Sequence, residues 1–248
     1  MQNSKETNLE EILSKIRDLF HSESESIVSA FNFSQVDSYF IFLKQYNEIG
    51  GFFSAKDSEN ILERHLLESL YYVFKIAERY PVSHETKIAD IGTGPGLPGF
   101  LFTCLKNPPK VYLVDSQKRR LKLLENYCIE KGIGQVFFLY QRAEEIQEKF
   151  DLITMRSAVP YPWSAEIVYS LMDRKSIFCP FLAKLGDREK TEKILLGSLG
   201  VKIEETLHMN ALSFLGERNI KFLKKSVNPK HGFPRQWSVI SKEIKTDG

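Results

Sequence analysis

The sequence predicts an α/β protein in which a helical N-terminal segment precedes a mostly parallel sheet that carries an antiparallel hairpin at its C-terminal edge. Three observations carry this. Up to Pro81 apolar residues recur at helical spacing; beyond it short β-branched or aromatic runs alternate with amphipathic stretches; and a glycine-rich turn follows the first of those runs directly. At 248 residues the chain can bury one main core.

The helical segment is expected to span 1–80 and to pack on the main domain, 81–248. Leu9, Ile12, Leu13, Ile16, Leu19 and Phe20 mark a first amphipathic helix, followed by a polar connection from His21 to Ser26. Val36, Tyr39, Phe40, Leu43 and Tyr46 mark a second, ended by Gly50-Gly51. A third is expected to start near Asp57 and Ser58, to carry Leu62, Leu66, Leu70, Val73 and Ala77 on its core face, and to stop before Pro81.

Eight strands follow: Lys87–Ile91, Lys110–Val114, Gln135–Tyr140, Asp151–Thr154, Ser176–Phe181, Val201–Thr206, Asn219–Lys225 and Trp237–Ser241. Helices are expected between the first six. No helical signal separates the last two, so these are expected to form the edge hairpin.

Composition narrows the class. With 42% hydrophobic and 27% charged residues the chain is neither disordered nor fibrous. A formal net charge of +2 means that any nucleic-acid binding must come from local clusters of Lys and Arg. Cys104, Cys128 and Cys179 lie far apart without metal-ligand or disulfide spacing, so reduced, buried thiols and no metal are expected. No apolar leader opens the sequence and no run reaches the roughly 18 apolar residues of a membrane span, which predicts a cytoplasmic location.

The chemistry concentrates in Asp90-Ile91-Gly92-Thr93-Gly94-Pro95-Gly96-Leu97-Pro98-Gly99. Glycines between a strand and a helix let the chain turn sharply and let a ligand reach main-chain atoms. A dinucleotide loop uses the same topology, but its third glycine position is Leu97 here, and Asp90 makes the strand end acidic. A cationic ligand suits that better than a pyrophosphate. The D-x-G-x-G-x-G pattern resembles the first motif of class I S-adenosylmethionine-dependent methyltransferases, a Rossmann-like fold.

Asp115 ends the second strand, where a carboxylate can accept from both ribose hydroxyls; the plain alternative is a cap for the following helix. Ala143 and Glu144 follow the third strand, where adenine is expected, or Glu144 is an ordinary acidic cap. Arg156 leaves the fourth strand and suits a ligand carboxylate or a substrate phosphate; otherwise it forms a surface ion pair.

Together these motifs resemble the RsmG family, also called GidB, over about Tyr46 to Pro234. Glu63-Arg64-His65-Leu66-Leu67-Glu68-Ser69-Leu70 is similar to its R-H-x-x-D-S-L, and the run from Asp90 to Gly99 to its D-x-G-T-G-x-G-x-P-G. Val114-Asp115-Ser116, Arg142-Ala143-Glu144 and Asp151 to Arg156 match further. The chain departs at Gly50-Gly51-Phe52-Phe53, at Ser157, at Lys184-Leu185-Gly186 and in the basic loop Asn228 to Arg235. The resemblance implies methylation of guanine N7 in small-subunit ribosomal RNA, with Gly92, Leu97, Asp115, Ala143, Glu144 and Arg156 at the cofactor; Gly94 of the same turn is expected to join them.

Guanine N7 bears a lone pair and no proton, so no catalytic acid or base is assigned. RNA binding needs cations and flat groups near one rim, for which Lys224, Lys225, Lys230, His231, Arg235 and Trp237 are candidates, with Arg64, His65, Lys118, Arg119 and Arg120 elsewhere. For a single Lys the plain alternative is a solvated charge; for Trp237, strand packing; for His65, a hydrogen-bonded structural role. The expected partner is small-subunit ribosomal RNA or a ribosomal particle, met by a monomer. A methyltransferase acting on another RNA, a protein or a small molecule, and a binding module without catalysis, remain the alternatives.

Overall fold

The computed structural model describes residues 3–186 and 188–247. Helices α1 (Asn3–Phe20), α2 (Ser24–Ala30), α3 (Phe33–Gly50), α4 (Ala55–Ser58) and α5 (Glu68–Arg79) form the N-terminal segment. Then come β1 (Lys87–Ile91), β2 (Lys110–Val114), α6 (Lys118–Lys131), β3 (Val136–Leu139), β4 (Leu152–Arg156), α7 (Trp163–Ile167), β5 (Ile177–Leu182), α8 (Glu189–Leu199), β6 (Val201–His208), β7 (Asn219–Lys225) and α9 (Trp237–Asp247). The sheet order is β3-β2-β1-β4-β5-β7-β6, with β1 to β5 parallel and β7 antiparallel to both its neighbours.

The central strands β1, β2, β4 and β5 are largely buried on both faces because helices cover both, whereas β6 at the edge is exposed from Lys202 to Glu205. Successive side chains alternate: Ile88, Val111 and Leu152 pack with the N-terminal helices and α6, while Ala89, Ile153 and Met155 pack with α7, α8 and α9. Ile12, Ile16, Val36, Leu43, Leu66 and Leu70 are buried in the same cluster as those strand residues, so the N-terminal helices share the core of the sheet. None of the described helices is long and apolar enough to cross a membrane.

Several local expectations give way. The segment from His21 is a 3-10 turn running into α2. Ser54, whose hydroxyl accepts from the Asp57 amide at 3.2 Å, caps α4 in place of Asp57 or Ser58. The chain enters α5 through a wide π-type turn, Leu62–Leu67, of a kind often found at functional sites. Only 3-10 turns, Gly99–Cys104 and Ala143–Glu145, stand between β1 and β2 and between β3 and β4.

The edge hairpin is built from β6 and β7, and the expected strand Trp237–Ser241 is the first part of α9. With β5 on one side of β7 and β6 on the other, no ladder position is left for another strand there. Trp237, Ile240 and Ile244 recur at helical spacing and pack against the α7 side of the core.

The connection to α9 is anchored by a buried charge. Glu166 on α7 has a fully buried side chain, and its carboxylate accepts from the Arg235 amide at 2.6 Å and from the guanidinium at 2.7–3.2 Å; Arg235 also pairs with Glu243. Removing one partner of such a pair strands the other charge. Arg235→Ala is expected to lower stability by about 3–5 kcal/mol, read as a reduced midpoint in urea unfolding, with Arg235→Lys intermediate.

Candidate active site

A cleft of about 760 Å³ opens at the C-terminal ends of the parallel strands. This is where the topology of open α/β sheets leaves a crevice. Gly92, Gly94, Leu97, Asp115, Ala143, Glu144 and Arg156 all line it, so the structure brings together the seven positions assigned to the cofactor from the sequence.

The glycine turn forms the cleft's inner wall. Gly92 sits at φ +68°, and a Cβ there would stand 2.2 Å from the Cβ of Ala158, so the turn after β4 packs directly on bare backbone. Gly94, at φ +57°, has nothing within 4 Å of where its Cβ would be and presents main chain to open space. Both conformations are left-handed and favour glycine. Gly92 and Thr93 donate to the Val114 carbonyl at 2.9 and 3.1 Å, and Tyr39 of α3 donates to the Pro95 carbonyl at 3.0 Å, fixing the turn from two sides.

Two carboxylates hold this turn in different ways. Asp115 accepts from the Gly94 amide at 2.9 Å through one oxygen and from the Gln117 amide at 2.8 Å through the other. It therefore braces the entry to α6 and faces the cleft at once, so both readings of this residue describe one geometry. Asp90 is the correction. It does not line the cleft; its carboxylate is buried beneath the turn, accepting from Thr93 Oγ1 (2.6 Å), the Gly99 amide (2.9 Å) and Thr154 Oγ1 (2.8 Å). The acidic strand end thus serves the loop and not a cationic ligand.

Arg156 is no surface ion pair. It donates to Glu68 at 3.2 Å, and the same buried carboxylate pairs with Arg218. Both guanidiniums line the cleft, leaving one net positive charge among the three groups at its wall. Arg142 pairs with Glu144 at 3.0 Å, while the Arg142 amide donates to Glu145, so Glu145 closes the 3-10 turn and Glu144 stays on the cleft.

His65, from the π-type turn, stacks on Phe53 with ring centroids 4.1 Å apart. Both its ring nitrogens are buried without a hydrogen-bond partner, contrary to the expected structural role. Burial, and then the nearby Arg156, push its pKa down to about 4, so the ring is neutral near pH 7.

Of the expected RNA-binding cluster near the end of the chain, Trp237 lines the cleft and the basic residues do not. Because β7 runs antiparallel to β5, Asn219 lies beside Leu182 at the cleft end, and Lys224 and Lys225 lie at the opposite edge. Lys225 donates to the Met172 carbonyl and covers the Tyr169 ring, and burial lowers its pKa to about 8. Lys230 and His231 are exposed on the loop beyond, where the Lys230 amide bonds Ser198 near the end of α8. Arg235 is taken up by Glu166 and Glu243. The cations that do line the cleft are Arg64, Arg120, Arg142, Arg156 and Arg218.

Sequence reasoning missed Phe52, Phe53 and Arg218 as cleft residues. The phenylalanines stood out as a departure from the family pattern. Nothing local marks Arg218, which reaches the cleft only through antiparallel pairing.

A sheet of order β3-β2-β1-β4-β5-β7-β6 with only β7 antiparallel to its neighbours, together with a bare glycine turn and a second-strand carboxylate at the cleft, is the class I methyltransferase architecture. The chain belongs to the family of rRNA small subunit methyltransferase G, whose model matches residues 32–194. It is 43% identical over 245 residues to the ribosomal RNA small subunit methyltransferase G of Leptospira interrogans serogroup Icterohaemorrhagiae serovar copenhageni, covering 99% of this chain and 96% of that one. A relative of the same name from Leptospira biflexa serovar Patoc is 47% identical over 220 residues, 87% of this chain and 89% of that one. Among solved structures, magnesium protoporphyrin IX methyltransferase from Synechocystis PCC 6803 with bound S-adenosylmethionine shares the fold at a TM-score of 0.55 and 17% identity, covering 76% of this chain and 97% of that one.

Burial raises the Asp90 pKa to about 6 from an ordinary 3.8, against the pull of its three hydrogen bonds. The folded state therefore keeps the proton to higher pH than the unfolded one, so this group's contribution to stability falls as pH rises from about 4 to about 6. Asp90→Asn is expected to remove that decline, seen as a flatter dependence of the urea midpoint on pH across this window.

Proposed function

We propose that this chain transfers a methyl group from S-adenosylmethionine to N7 of a guanine in small-subunit ribosomal RNA. The observation that carries the reading is a single cleft lined by every cofactor position inferred from the sequence, in a chain of this family.

The cleft fits the cofactor. Gly94 offers main chain where any Cβ would fill the space, and Asp115 offers a carboxylate beside it. Gly92, Gly94, Leu97 and Asp115 are assigned to the adenosyl part, Ala143 and Glu144 to the purine end, and Arg156 to the carboxylate of the methionyl part. When bound, S-adenosylmethionine supplies an electrophilic methyl carbon on a positively charged sulfur.

The protein's task is alignment. Guanine N7 attacks with a lone pair already present, so holding the base in line with the methyl carbon lowers the barrier without proton removal. Asp90, buried beneath the turn and off the cleft lining, is not placed to take a proton from a substrate. Arg64, Arg120 and Arg218 are the cations on hand for RNA phosphates.

The RNA substrate is supported by the names of the relatives, which share nearly the whole chain. A cytoplasmic site of action follows from where ribosomal RNA is found.

Incubation of the pure protein with S-adenosylmethionine and unmodified small-subunit RNA, followed by mass spectrometric mapping, is expected to place one methyl on a guanine N7. A methyl on another atom would reject the target while keeping the enzyme class; no methyl on RNA or on assembled subunits would reject both. Asp115→Ala is expected to weaken S-adenosylhomocysteine binding about ten- to hundredfold in calorimetry, the scale of a lost hydrogen-bonded charge. Wild-type affinity in that variant would remove Asp115 from the site.

A further inference from the structure

Trp237 is the first residue of α9, far outside the family's glycine turn, yet its side chain lines the cleft. It stands at the end that carries Arg142, Ala143 and Glu144. The Arg142 guanidinium lies over the Trp237 ring, 5.1 Å from its centre, and is also bonded to Glu144. Val114, Ala143 and Ile167 line the same cleft and belong to the buried cluster against which Trp237 packs. This end therefore combines a flat aromatic surface and an aliphatic floor with polar groups, Gln141 and Glu144, on the lining. A purine has the matching chemistry: two apolar faces and a hydrogen-bonding edge.

The two tryptophans differ in a telling way. Trp163 is fully buried, as a packing residue should be, whereas Trp237 is only partly buried and borders open space. Its place is nevertheless held firmly. Two residues earlier, Arg235 is bonded through main chain and side chain to the buried Glu166, and three residues later Ile240 is buried. A half-buried aromatic ring held in place from both sides loses little conformational freedom when a ligand stacks on it.

We propose that Trp237 is the stacking wall of the purine end of the cofactor cleft, so that the C-terminal segment 233–237 completes a site whose other parts come from the sheet. This rests on the methyltransferase reading above and adds a cofactor-binding residue to it.

Calorimetric titration with S-adenosylhomocysteine tests it. Trp237→Ala is expected to raise the dissociation constant about tenfold or more, the scale of one lost base–aromatic stack, while Trp237→Phe stays within about threefold of wild type. In turnover the loss is expected to fall on KM for S-adenosylmethionine more than on kcat. A second measurement uses Trp163→Phe, which leaves Trp237 as the sole tryptophan: addition of S-adenosylhomocysteine is expected to change its fluorescence. Wild-type affinity in Trp237→Ala, or unchanged emission in Trp163→Phe at saturating ligand, would overturn the assignment and leave the methyltransferase reading standing. Failure of the unmutated protein to bind S-adenosylhomocysteine would overturn both.

Discussion

The cleft depends on a stretch of bare backbone whose shape is held mainly by bonds to neighbouring elements. The turn after β1 exposes main chain at Gly94, and such a turn keeps its shape only if its amides and hydroxyls are bonded from outside. Asp90 does this from below and Asp115 from beside, while the Val114 carbonyl and Tyr39 close the remaining sides. Burying the Asp90 carboxylate carries a desolvation cost, visible in its raised pKa, which three hydrogen bonds offset in part. The result is a rigid, bare surface, the arrangement that lets a ligand contact backbone at low ordering cost.

Glu68 plays the corresponding role at the opposite wall. It comes from α5, Arg156 from β4 and Arg218 from the turn that enters β7, so one buried carboxylate joins the N-terminal segment, the parallel sheet and the edge hairpin at the cleft. The helices before β1 are therefore part of the site: they also deliver Phe52, Phe53 and His65 to its lining. A cleft built this way is assembled only when the whole chain is folded, and its shape is coupled to the packing of both ends of the chain, α9 included.

The first five strands were legible in the sequence because each is a short, mainly apolar run between turn signals, and the edge strands β6 and β7 because their β-branched and apolar residues alternate with charged ones. The glycine turn was legible because its run of left-handed dihedral angles favours glycine. The misreadings have equally local causes. Trp237, Val239 and Ile240 look like a strand in a five-residue window, and only the further spacing to Ile244 shows the helix that the core selects. Asp90 and Asp115 look alike as strand-end carboxylates, and only the three-dimensional path of the turn puts one beneath it and the other beside the cleft.

The sequence by itself determined the architecture and the cofactor wall, since both are written in short-range terms: period, glycine spacing and the residue that ends a strand. Which cations face the cleft was decided by tertiary structure. Lys224 and Lys225 end β7 and Arg218 immediately precedes it, but the antiparallel course of β7 puts them at opposite ends, and strand direction depends on partners far away in the chain.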